Sequence, residues 1–187
     1  MIKGIIFDMV GPLLQKKPEY VFNEATETAE IIHKQNNFLD DKKFIQALRE
    51  NKITKEYSLK EIVQQIVSKY CKIQEIWSEL LPKLKDNYKL AIINNGPAMT
   101  IPYFKKENNF EEFFPIFINS SEVNLEKPDS KIYLMVLNQM GLKSEECIFI
   151  DDTKDNVLGA EKIGIKGLLF TDYQKLLTDL KSLDINV

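Results

Sequence analysis

Four groups of polar side chains stand just beyond the carboxyl ends of short apolar runs. Asp8 follows Gly4-Ile5-Ile6-Phe7, and Asn94-Asn95-Gly96 follows Lys89-Leu90-Ala91-Ile92-Ile93. Glu126-Lys127-Pro128-Asp129 forms a loop after Pro115-Ile116-Phe117-Ile118, and Asp151-Asp152 follows Cys147-Ile148-Phe149-Ile150. Beyond the carboxyl ends of strands is where α/β sheets bind ligands. Asp8 and Asp152 offer hard oxygen ligands suited to Mg2+, with a backbone carbonyl and waters to complete the shell. Lys127 offers a positive charge for an anionic substrate, and Asn94 offers amide donors to a phosphoryl oxygen. Phosphoryl transfer asks mainly for positioning and charge neutralisation. Asp8 would attack phosphorus and carry it as an aspartyl-phosphate. Each group also has an ordinary structural reading: turn former, helix entry, solvated loop charge, helix cap. Their joint placement favours chemistry.

The elements that must position them follow from hydrophobic pattern. The four later apolar runs, with Lys166-Gly167-Leu168-Leu169-Phe170 as the last, are nearly continuous, as strands covered on both faces should be. Helical patterns alternate with them. Asp129 can cap a helix carrying Ile132, Tyr133, Val136, Leu137 and Met140, stopped by Gly141. A second helix follows Asp152 and ends at Gly164, and a third starts near Asp172 with Leu176, Leu177, Leu180 and Leu183. This alternation predicts an α/β protein with a doubly wound parallel sheet.

Residues 15–85 show helix periodicity and almost no strand signal. Ser58 and Glu61 make a capping box, followed by Leu59, Ile62, Val63, Ile66, Val67 and Tyr70 at helical spacing. Ile73, Ile76, Trp77, Leu80, Leu81 and Leu84 mark another apolar face. Helices around Tyr20 to Gln35 and Asp41 to Glu50 complete the set. The expected organisation is an α/β core from 1–14 and 86–187, interrupted after its first strand by a helical module at 15–85. The 44% hydrophobic content can fill such a core.

A net charge of -3 and a pI near 5.4 leave no electrostatic footprint for nucleic acid. The apolar stretches are too short to span a bilayer, and the start has too brief an apolar segment for a secretory signal. Cys71 and Cys147 fall in no metal-ligand or redox spacing. These readings predict a reduced cytoplasmic protein acting on a small molecule.

The segments EKPDSKIYLMVLNQMGL and IFIDDTKDNVLGAEKIGI, with Asp8 and Asn94 before them, resemble the haloacid dehalogenase superfamily of Mg2+-dependent phosphatases and relatives. The resemblance covers essentially the whole chain. It implies a Rossmann-like parallel sheet with a small helical cap inserted after the first strand, and a site at the cap interface. It implies Asp8 as nucleophile and metal ligand, and Asn94 at a position that is usually Ser or Thr. Lys127 would be the substrate-facing lysine. Asp152 would be the principal second metal ligand, assisted by Asp151, and the main-chain carbonyl of Val10 the third. Amides of Met9 and Val10, with Asn95 and Gly96, would face phosphoryl oxygens.

Two departures matter. Val10 stands where the family has the acid that protonates the leaving group and activates water, and Pro12 stands where Thr or Val is usual. General acid-base catalysis contributes roughly 10²–10⁴-fold, so its loss slows turnover without dismantling the site. Three readings stay open: a slow Mg2+-dependent phosphatase of a small phosphorylated metabolite, a phosphate-binding relative with little turnover, and a dehalogenase. The last would need a cap arginine, and Arg49 is the only arginine in the chain. His33, the only histidine, has a neighbouring Lys34 and suits a surface. Lys16, Lys17 and Tyr20 are candidate specificity residues near the first hinge.

Overall fold

The computed structural model describes residues 1–18, Thr28, Ile32, 41–52 and 57–187. Its strands are β1 (Gly4–Phe7), β2 (Leu14–Lys16), β3 (Tyr70–Lys72), β4 (Lys89–Asn94), β5 (Ile116–Asn119), β6 (Cys147–Asp151) and β7 (Lys166–Leu169). Five of them form one sheet in the order β5-β4-β1-β6-β7, every pairing parallel. The chain fills one side of β1 first and then crosses to the other. The order therefore reverses beside β1, the place where a doubly wound sheet opens a crevice.

Period-two alternation sorts each central strand onto two faces. Ile5 and Phe7, Leu90 and Ile92, and Ile148 and Ile150 enter one apolar cluster, with Trp77, Phe110, Phe114, Leu176 and Leu180. Ile6, Ala91, Ile93 and Phe149 enter the other, beneath Ile132, Tyr133, Val136 and Met140. Both faces are covered, which is why these runs are continuously apolar.

The helices behave as their sequences dictate. They are α1 (Asp41–Glu50), α2 (Leu59–Ser68), α3 (Leu81–Lys85), α4 (Ile101–Asn108), α5 (Ser120–Val123), α6 (Ser130–Met140), α7 (Lys154–Glu161) and α8 (Tyr173–Ser182). Both arms of the Ser58–Glu61 capping box are made at the start of α2. Asp129 caps α6 through the Lys131 amide, and Gly141 ends it in the left-handed conformation. Asp172 caps α8. Of the helix expected around Tyr20 to Gln35, Thr28 and Ile32 are described, both helical, while Tyr20 and His33 lie outside the described residues.

Two features differ from the expectation for 15–85. First, β2 and β3 form an antiparallel ladder, Leu14 opposite Lys72 and Lys16 opposite Tyr70. Each strand has only three residues, too few for alternation to register. Second, Ile73, Ile76, Trp77, Leu80, Leu81 and Leu84 pack into the sheet's own cluster beside Ile5 and Phe7. The Trp77 indole N–H donates to the Leu13 carbonyl at 2.9 Å, tying this segment to the exit from β1. A separate small core joins Ile32, Phe44, Leu48 and Ile62. Met99, just after β4, packs against it, and the Met99 amide donates to Asp41 Oδ2 at 3.0 Å.

Candidate active site

Strand ends deliver the expected side chains to the crevice. The Asp8 amide continues the β1 ladder by donating to the Ile150 carbonyl, which sets Asp8 beside the end of β6. From the opposite side, the loop before α6 sends Lys127 inward. Its Nζ lies 2.7 Å from Asp8 Oδ1 and 2.8 Å from Asp151 Oδ2. Lys127, Asp8 and Asp151 are all buried. Asp152 is the exposed member, yet one carboxylate oxygen from each of Asp8, Asp151 and Asp152 lies within 4.8 Å of the others.

Gly11 explains how Asp152 reaches that point. Its φ of 109° is one that L side chains rarely adopt. A Cβ there would stand 2.6 Å from both Cγ and Oδ2 of Asp152. The bare backbone after β1 is thus a cradle for this carboxylate.

Three carboxylates against one ammonium leave a surplus of negative charge in a poorly hydrated place. Burial pushes the Asp8 carboxyl up to about 7; Lys127 opposes this, and the Asp151 charge adds to it. Asp152 is also raised, by burial and by Asp151. For Lys127, burial disfavours the charge, but Asp8 and Asp151 together outweigh it and hold the ammonium above its ordinary range. A divalent cation would relieve the carboxylate repulsion, and oxygen donors at this spacing suit Mg2+. The residues present fit the metal that the sequence implies.

Asp151 has more partners than its sequence position suggests. Thr153 N–H and the Asn156 amide donate to it alongside Lys127, at 2.8–3.2 Å. Tyr133 in turn donates to the Asn156 carbonyl at 2.8 Å. Thr153 and Asn156 carry no site signal in the sequence beyond the Asp-x-x-x-x-Asn spacing of one helical turn past a strand, and Tyr133 reads there only as part of a helix's apolar face.

Several expected anion donors are engaged within the protein. The Met9 amide donates to Asp8 Oδ1 at 2.7 Å, and the Gly96 amide donates to Ser120 Oγ at 3.1 Å. Asn95 exchanges two hydrogen bonds with the Lys127 main chain, both 3.0 Å, which fixes the loop carrying the lysine. Asn94 is buried at the end of β4, and its Nδ2 donates to Asn119 Oδ1 at 2.7 Å. Val10 is half-buried and bridges to Leu14. Arg49 is exposed in the last turn of α1, Lys16 ends β2, and Lys17 follows it.

Fold and site define an α/β protein with a lysine-bearing acidic crevice at the switch point of a parallel sheet. A profile of haloacid dehalogenase-like hydrolases matches residues 5–170, and the chain belongs to that family. It is 24% identical over 183 residues to the phosphorylated carbohydrates phosphatase of Thermotoga maritima, spanning 88% of this chain and 83% of that one. Shorter matches reach flavin mononucleotide hydrolase 1 of Arabidopsis thaliana, 46% identical over 61 residues, 33% of this chain and 25% of that one. Glyceraldehyde 3-phosphate phosphatase of Methanothermobacter thermautotrophicus is 28% identical over 117 residues, 59% of this chain and 51% of that one. The chain thus spans about a quarter and about half of these two relatives.

A HAD family enzyme of Bacteroides thetaiotaomicron, crystallised with magnesium and inorganic phosphate, shares the fold. The TM-score is 0.72 at 24% identity, over 94% of this chain and 99% of that one. A 2-haloacid dehalogenase of Pseudomonas syringae has a TM-score of 0.66 at 16% identity, over 90% and 86% of the two chains. The fold alone therefore does not choose between phosphorus and carbon as the point of attack. Among the described residues, no helix is long and apolar enough to cross a membrane.

Proposed function

We propose that this hydrolase is a Mg2+-dependent phosphatase of a small phosphorylated metabolite, with Asp8 as nucleophile. The observation that carries the reading is the buried Asp8–Lys127–Asp151 triad with Asp152 alongside. Three carboxylates converging without a metal repel one another and an anionic substrate, which disfavours metal-free attack on carbon. A phosphatase with a divalent cation uses all of them.

In this reading Asp8, Asp152 and the Val10 carbonyl hold the cation, and Asp151 assists while fixing Lys127. Bound there, Mg2+ would neutralise charge on the phosphoryl oxygens and on Asp8. Among the described residues, the hydrogen bonds to the Asp8 carboxylate fall on Oδ1, from Met9 N and Lys127 Nζ, which leaves Oδ2 as the attacking atom. It forms a bond to phosphorus as the phosphorus–oxygen ester bond breaks. The electron pair leaves with the departing oxygen, which takes its proton from water because Val10 has none to give. Water then attacks phosphorus, releases phosphate and restores the Asp8 carboxylate. Lys127 stays protonated throughout and holds the anion, with Asn94 donating to a phosphoryl oxygen.

The helical insertion covers this site in the proposal and sets the substrate. In this reading the insertion ends before Ile73, a choice supported by the packing of Ile73, Ile76, Trp77, Leu80, Leu81 and Leu84 with β1. A phosphate-release screen over small phosphoesters and acyl phosphates, with and without Mg2+, tests the reading. Halide release from 2-haloacids in place of phosphate release would overturn it.

A further inference from the structure

Asn119 lies at the carboxyl end of β5, in register with Asn94 and fully buried. Its side chain makes three hydrogen bonds. Nδ2 donates to the Gly96 carbonyl at 2.9 Å and to Ser121 Oγ at 2.8 Å, and Oδ1 accepts from Asn94 Nδ2 at 2.7 Å. Ser121 Oγ also donates to the Gly96 carbonyl, and Ser120 Oγ receives the Gly96 amide. The sequence pattern marks Asn94 and Gly96 of this cluster but not Asn119, Ser120 or Ser121.

The donors and acceptors here can be ordered by logic alone. A backbone carbonyl only accepts, so the Gly96 oxygen obliges Asn119 to turn its nitrogen toward it. The Asn119 oxygen must then face Asn94, and that oxygen also only accepts. Asn94 is therefore obliged to present its nitrogen to Asn119. One amide orientation follows from an acceptor on the loop it serves.

The consequence lies in proton counting. An amide nitrogen carries two protons, and a hydroxyl carries one. Asn94 gives one N–H to Asn119 and keeps a second. A serine or threonine at 94 would give its only proton to the Asn119 oxygen and turn lone pairs toward any anion. Gly96 leaves the amide its room, since a Cβ there would stand 3.0 Å from Asn94 Nδ2.

We infer that Asn119 is a positioning residue, matched to Asn94, that aims the second amide proton of Asn94 at the phosphoryl group. The pairing makes an asparagine at 94 a working anion donor and would make a hydroxyl there a poor one. This rests on the reading of the crevice as a phosphate site.

The test is a thermodynamic cycle on inorganic phosphate binding with Mg2+, read by calorimetry, for Asn94→Ser, Asn119→Leu and the pair. Ser121 still satisfies the Gly96 carbonyl in the leucine variant. Asn94→Ser should weaken phosphate binding about tenfold or more, the loss of one donor to an anion. Adding Asn119→Leu should then restore part of the affinity, because the serine proton is freed. A residue with a merely structural role would multiply the two losses instead, and that result overturns the inference. So does Asn94→Ser binding phosphate as the wild type does.

A second readout needs neither a variant nor a ligand. In side-chain amide NMR spectra of the wild type, one Asn94 Nδ2 proton should be hydrogen-bonded and protected from exchange, and Asn119 should have both protons protected. Unprotected Asn94 protons overturn the inference. If the wild type shows this pattern but binds no phosphate, the phosphatase reading fails and the pairing stands.

Discussion

Removing the charge of Asp8 should stabilise the metal-free protein, and more so as the pH rises. Burial, opposed by Lys127 and aided by Asp151, moves this carboxyl from its usual 3.8 up to about 7 in the fold. The folded chain therefore binds the Asp8 proton more tightly than the unfolded chain. The stability contributed is fully present below about pH 4 and is lost as the pH rises through about 7. At about 1.36 kcal/mol per unit, the raised pKa costs the fold on the order of 4 kcal/mol at pH 8, and about 2 kcal/mol at pH 5.5, where the cost is that of taking up the proton on folding. Asp8→Asn removes that cost with little loss of bonding, because Met9 N and Lys127 Nζ both donate to Oδ1 and an amide oxygen can accept both. Urea melts in EDTA at the two pH values give the difference between variant and wild type. The variant should be the more stable at both, by a margin that roughly doubles from pH 5.5 to pH 8. Saturating Mg2+ should shrink the margin at pH 8 by stabilising the wild type. A variant less stable than wild type, or a margin independent of pH, would refute the electrostatic account of the site.

The other expectations concern the surrounding groups. Lys127→Met leaves Asp8 and Asp151 buried without their ammonium, so it should cost about 3–5 kcal/mol at pH 8 in chemical melts. Phosphate affinity should fall with it in calorimetry. Gly11→Ala puts a methyl group into the Asp152 carboxylate at a strained φ, and should cost more than about 1 kcal/mol. Calorimetric titration should show weaker Mg2+ binding by that variant. Val10→Asp should speed the first step for alkyl phosphates by up to roughly 10²-fold and barely change aryl phosphates. Single-turnover rates over a series of leaving groups measure this; a wild type already indifferent to the leaving group would mean another residue is the acid.

Much of the sheet was legible because each central strand is buried on both faces, which forces an unbroken apolar run such as Ile5-Ile6-Phe7. Caps were equally readable, since Ser58, Asp129 and Asp172 act on amides two or three residues away. The β2–β3 ladder was hidden because Leu-Gln-Lys and Tyr-Cys-Lys are too short for a period. Helix α4 opens with Pro102 in its first turn after a 3-10 turn and has only a shallow apolar face, so it also passed unnoticed. In the site, spacing located the Asp151-Asp152 pair but could not say which carboxylate turns inward. Alternation along β6 buries Asp151 against Lys127 and sends Asp152 outward to the Gly11 turn. Asn119 and Ser120 were invisible for a different reason. Their partners are Asn94 and Gly96, on a neighbouring strand end, and pairing across strands leaves no local pattern.

The central claim is that Asp8 takes up a phosphoryl group. Wild type and Asp8→Asn should be mixed with an aryl phosphate and Mg2+, quenched in acid at early times, and digested for mass spectrometry. The account predicts a hydroxylamine-labile phosphoryl adduct on the wild-type peptide containing Asp8, and none in the variant. It should accumulate, because Val10 provides no base to activate the water that removes it. Phosphate release that proceeds equally in both proteins, with no adduct on that peptide, would contradict it.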